Sequence, residues 1–113
     1  MKQTSTQHGP VTVLALEGNL MGGPDASALH STINDLVSRG MNRIVIDLAK
    51  VEYMNSSGLS LLIGGAGTVK HTGGMLVLAN ASAKIQSIIK ITKLSAVLET
   101  LPSVEEAVRR LTA

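Results

Sequence analysis

Residues 43–48 read Arg-Ile-Val-Ile-Asp-Leu, and this run limits what the whole chain can become. A nearly unbroken series of β-branched and aliphatic side chains suits a strand covered on both faces of a sheet. From Leu59 the pattern changes, with Leu59, Leu62, Ile63, Ala66 and Val69 at helical spacing. Tyr53-Met54-Asn55-Ser56-Ser57-Gly58 joins the two patterns. Asn55 and Ser56 therefore stand where a loop rising from a central strand turns into a helix. Their side chains can accept hydrogen bonds from the first, unpaired N–H groups of that helix. One reading is a cap and nothing more. The other is a serine displayed at the positive end of a helix dipole, where a phosphate is favoured.

The remaining chain alternates strands with helices around this centre. Lys2 to His8 is a polar edge strand, Gly9-Pro10 a turn, and residues 11–16 (Val-Thr-Val-Leu-Ala-Leu) the second arm of a hairpin. Residues 17–23 are expected to be a loop. Pro24 suits the first turn of a helix with its apolar side at Ala26, Leu29, Ile33, Leu36 and Val37, stopped by Gly40 after Arg39. The helix after Ser56 should end near Gly73-Gly74, before another buried strand, Met75–Ala79. Ser82 caps a short helix carrying Ile85, Ile88 and Ile89, and residues 96–99 are expected to form a last short strand. Ser103 and Glu106 have capping-box spacing, and Val104, Ala107, Val108 and Leu111 form the buried stripe of a final helix. Arg109 and Arg110 suit its last turn. The expected architecture is α/β: a mixed sheet of four to five strands packed with about four helices.

Composition narrows the function classes. At 113 residues the chain is long enough for one domain, 1–113, that folds without staples. With one Tyr, no Phe and no Trp, its core must be aliphatic. The absence of cysteine excludes disulfides and thiolate chemistry. Ten basic against eight acidic side chains are too balanced to argue for nucleic acid. No apolar run reaches the roughly 20 residues that span a membrane, and no signal-peptide pattern opens the chain. A soluble cytoplasmic domain without membrane insertion is expected.

Sites of chemistry are scarce. Gly64-Gly65-Ala66-Gly67 lies inside the helical pattern and is followed by no Gly-Lys-Ser/Thr, so it is not a phosphate loop. His8, His30 and His71 lack metal-ligand spacing, so no metal is expected. Ser56-Ser57-Gly58 is no nucleophile elbow, and no His base accompanies either serine. Asp47 has no companion acidic pair, so a structural duty is expected of it. At about 100° per residue, Leu61, Gly64, Gly65 and Thr68 fall on the side of the helix away from its apolar stripe. That smooth, uncharged face beside Ser56 is a candidate docking surface.

The segment Asp47-Leu48-x-x-Val51-x-Tyr53-Met54-Asn55-Ser56-Ser57-Gly58-Leu59 resembles the signature of the STAS domain, specifically the bacterial anti-sigma-factor antagonists. The resemblance extends from Gly18-Asn19-Leu20 through Gly73-Gly74 to the last helix. It implies a non-enzymatic binding module without a cofactor. In that family the first serine of an Asp-Ser-Ser/Thr-Gly segment is phosphorylated by a partner serine kinase that is itself the anti-sigma factor. The matching position is Ser56, not Ser57. The resemblance further implies a PP2C-like phosphatase that resets the switch. Ser57 would then support the first helical turn, and Gly58 would let the partner's backbone approach. Two departures stand out. Asn55 replaces the family's Asp, and Gly18-Asn19-Leu20-Met21 stands where the family has Gly-Glu-Leu-Asp. They leave the implied docking residues Asn19, Met21 and Asn55 uncharged, and favour a rival reading, a constitutive interaction domain of a scaffold or lipid-transport complex. An enzyme or nucleotide binder is the third reading, and it lacks motifs. Asn and Asp cap helices about equally, so Asn55→Asp is expected to leave the fold unchanged and, if the partner keeps a basic residue opposite, to tighten partner binding, most visibly at low salt.

Overall fold

The computed structural model describes residues 2–21, 23–91 and 98–112. Among these residues, five strands lie side by side in chain order: β1 (Lys2–His8), β2 (Val11–Leu20), β3 (Arg43–Met54), β4 (Met75–Ala79) and β5 (Thr100–Leu101). β1 runs antiparallel to β2, and all later pairings are parallel. The helices are α1 (Pro24–Ser38), α2 (Ser56–His71), α3 (Ala83–Ile91) and α4 (Val104–Thr112). The mixed α/β sheet of the sequence reading is borne out.

Each strand of the centre buries both faces, as the run at residues 43–48 requires. Ile44 and Ile46 join Leu14, Leu16, Leu76 and Leu78 under α1, α2 and α3. Val45 joins Val11, Val13 and Val77 under Ala107 and Leu111 of α4. Among the described residues, three helices thus cover one face and a single helix the other. Both long helices end in Schellman motifs. Met41 N–H donates to Leu36 O at 2.8 Å and Gly40 N–H to Val37 O at 3.0 Å. Gly74 N–H likewise donates to Val69 O at 3.1 Å. Ser82 and Ser103 cap α3 and α4, accepting from Ile85 N–H at 3.2 Å and Glu106 N–H at 3.1 Å.

Three boundaries differ from the sequence expectation. β3 does not stop at Leu48 but continues to Met54, paired with a β2 that reaches Leu20 through part of the expected loop. The register shifts between Ala15 and Glu17 and again between Gly18 and Leu20. Gly18, at φ 106°, supplies the backbone conformation for this. The irregularity breaks the period-2 signal: beyond Asp47, the buried residues of β3 are Leu48, Val51 and Met54. β4 pairs with β3 only as far as Asp47, so β2 and β3 extend together past it. The last described strand is Thr100–Leu101, and Leu98 and Glu99 of the expected 96–99 strand lie just before it. Ala96 and Val97, like Gly22 of the expected loop, lie outside the described residues.

Candidate functional site

The extension of β2 and β3 carries the chain to the start of α2 with little slack. Leu20 pairs with Met54, and the next residue, Asn55, is the N-cap of α2 in extended conformation. Its Oδ1 accepts from Gly58 N–H at 2.9 Å. Its Nδ2 donates to Met21 O at 3.1 Å, and its backbone N–H donates to Leu20 O at 3.3 Å. Gly58 is buried, and a Cβ there would fall on Leu20 O and lie 3.0 Å from Leu20 Cγ. The close approach expected of a partner at Gly58 is therefore made within the domain. A glycine is needed because the β2 backbone crosses there.

Ser56 and Ser57 are exposed in the first turn of α2, which contains no acidic residue. Met21, 44% exposed, and Tyr53, 39% exposed, are the large apolar groups nearby in the fold. Lys84 Nζ lies 5.1 Å from the Tyr53 ring centroid, a cation–π arrangement from the first turn of α3. Sequence reading missed Lys84 altogether, since no local pattern links it to Tyr53. Asn19 is exposed on the extended end of β2.

The outer face of α2 also differs from its helical projection. Gly65 is buried, and a Cβ there would lie 2.8 Å from Ile33 Cδ1, so this glycine serves the packing of α2 on α1. Leu61 is half-buried and packs against the main core. Thr68 is half-buried, its hydroxyl donating to Gly64 O at 3.0 Å. The exposed line is instead Ser57, Ser60, Gly64, Gly67 and His71, at alternating spacings of three and four. Added Cβ atoms at Gly64 and Gly67 would meet nothing within 4 Å. Internal packing explains Gly58 and Gly65 but leaves Gly64 and Gly67 without a structural reason.

Asp47 Oδ1 accepts from Ala49 N–H and from Asn80 Nδ2, each at 3.0 Å, tying β3 to the turn after β4. Among the described residues no group of three or more His, Asp or Glu is placed to hold a metal ion. No described helix is long and apolar enough to cross a membrane.

The STAS domain family model matches residues 2–107. The chain belongs to the STAS domain family. This STAS domain is 24% identical over 107 residues to BtrV of Bordetella bronchiseptica, named as a candidate anti-sigma factor antagonist, covering 95% of this chain and 91% of that one. Its fold matches a crystal structure of a protein of the same description from Thermotoga maritima with a TM-score of 0.90 at 19% identity, over 98% and 95% of the two chains. The anti-sigma factor antagonist SpoIIAA of Bacillus, solved unphosphorylated, matches with a TM-score of 0.79 at 18% identity, over 99% of both chains. Its phosphorylated form matches with a TM-score of 0.74 at 20% identity, over 96% of this chain and 98% of that one.

Proposed function

We propose that this STAS domain is an anti-sigma-factor antagonist, a cytoplasmic binding module that performs no chemistry itself and is switched at Ser56. The observation that carries the reading is the placement of Ser56: exposed, first in α2, and free of acidic neighbours in that turn. Unmodified, the domain binds an anti-sigma factor with serine kinase activity and so releases a sigma factor. The kinase brings ATP and magnesium. The Ser56 Oγ–P bond forms as the bond from the γ-phosphorus to the bridging oxygen of ADP breaks, and the hydroxyl proton passes to the kinase. Phosphate adds about −1.5 to −2 charge at neutral pH, and an unpaired charge inside an interface is strongly disfavoured. The modified domain therefore lets go, and a PP2C-like phosphatase resets it.

The small side chains of Ser57, Ser60, Gly64 and Gly67 support the same surface, since they allow a partner's backbone to come close. Asn55, Leu61 and Thr68 border it, and Asn19 and Met21 extend it across the end of β2. Intact-mass measurement after incubation with MgATP and the kinase-like anti-sigma factor of the same genome tests the reading. One added phosphate, mapped to Ser56 and absent in Ser56→Ala, is expected. An unmodified mass in a mixture that still forms a complex would favour the second reading, a constitutive interaction domain. That reading draws on Met21 and Asn55, uncharged where the family carries Asp.

A further inference from the structure

We infer that Asn55 is a positioning residue whose amide, and not a carboxylate, joins the end of β2 to the start of α2 and fixes Met21 beside Ser56. The functional half of this inference rests on the proposal that Ser56 and its surroundings meet the partner. The positional half stands on geometry alone. Asn55 uses both ends of its side chain: Oδ1 accepts from Gly58 N–H at 2.9 Å, and Nδ2 donates to Met21 O at 3.1 Å. An ionised Asp accepts but cannot donate. It would keep the cap on α2 and set its second oxygen against the Met21 carbonyl. Serine would keep a cap as well but has no second arm for Met21. Asn55, one departure from the family pattern, thus holds the backbone carbonyl of the other, Met21, a contact that needs a donor at position 55 and no particular side chain at position 21. The neutral amide makes the contact possible.

The chain on the other side of this contact is prepared for it. Leu20 is fully buried, and its carbonyl is held by the Asn55 backbone N–H and crossed closely by Gly58. Met21, one residue on, is 44% exposed. A residue that follows a fixed anchor and points into solvent keeps one orientation only if its own backbone is also held. The Asn55 amide does this from 34 positions away. Restoring the family's carboxylate thus has the opposite effect to the one the sequence implied: it frees Met21 and weakens partner recognition.

The test compares the full chain with Asn55→Asp and Asn55→Ser. In the wild-type protein, the Asn55 side-chain NH2 protons should exchange about two- to tenfold more slowly than those of exposed Asn34, the range expected for one hydrogen bond. Heteronuclear NOE values at Met21 should fall in both variants while those at Leu59, inside α2, stay unchanged. Undiminished order at Met21 in Asn55→Asp would overturn the positional half. In titrations with the kinase-like anti-sigma factor of the same genome, both variants should bind about two- to tenfold more weakly. Equal or tighter binding by Asn55→Asp would overturn the functional half. A wild-type protein that fails to bind the kinase at all would sink the antagonist reading instead, and the order at Met21 would still decide the latch.

Discussion

Gly58, Gly64 and Gly65 lie within two turns of α2, yet an added side chain would meet different surroundings at each. At Gly58 an added methyl would meet the Leu20 carbonyl, a backbone group that cannot rotate away. Gly58→Ala should therefore destabilise the domain by about 1–3 kcal/mol, even though alanine favours a helix by about 1 kcal/mol over glycine. At Gly65 the obstacle is the end of the Ile33 side chain, which can shift, so Gly65→Ala should cost less than Gly58→Ala. At Gly64 and Gly67 nothing stands in the way. Alanine at either should raise stability by up to about 1 kcal/mol. Urea denaturation midpoints of the four single variants give the order directly. The same geometry selects the better probe of partner binding. Leu61→Asp would place a charge against the core and should lower the melting temperature, so its binding defect would be ambiguous. Gly64→Lys adds bulk only to the exposed line. It should weaken partner binding in a titration while leaving melting unchanged or slightly raised.

At the scale of elements, capping and periodicity were readable where the backbone stays regular. Ser82, Ser103 and Gly40 fulfil their expected roles, because a cap is satisfied by atoms within a few residues. α4 depends most on its cap, being short and the sole described helix on its face of the sheet. Ser103→Ala should cost about 0.5–2 kcal/mol, measurable in thermal unfolding. The cost should be similar at high salt, since the cap is a hydrogen bond and not an ion pair. The misjudged elements are those whose regularity is broken. β2 and β3 were expected to end early because their last residues follow register shifts, which move buried positions off alternation. The shortest strand, Thr100–Leu101, is held by pairing with Leu78 and Ala79. Two residues are too few to carry a periodic signal of their own.

For the whole molecule, the expectation is a switch that changes a surface without refolding the domain. A phosphate on Ser56 would sit at the positive end of α2, where such an interaction is typically worth about 0.3–1 kcal/mol. Phosphorylation at Ser56 should thus leave stability unchanged or slightly raised. Amide shifts should stay near Ser56, Met21 and the exposed line of α2. Shifts reaching β4 or α4, or a large loss of stability, would mean that a conformational change carries the signal. The two layers beneath this surface were legible in the sequence, because burial on both faces of a central strand is written in the side chains of that strand. So were the helical stripes, most caps and the place of Ser56 at a strand-to-helix junction. All of these depend on residues close in the chain. Tertiary structure alone decided why Gly58 must be glycine, why Asn55 differs from a capping Asp, why Gly65 is buried, and which cation covers Tyr53. Each joins one element to another, as Asn55 joins Met21 across 34 positions and Lys84 covers Tyr53. Local patterns specify which face of an element is buried, but not which carbonyl, methyl or amine will arrive opposite it.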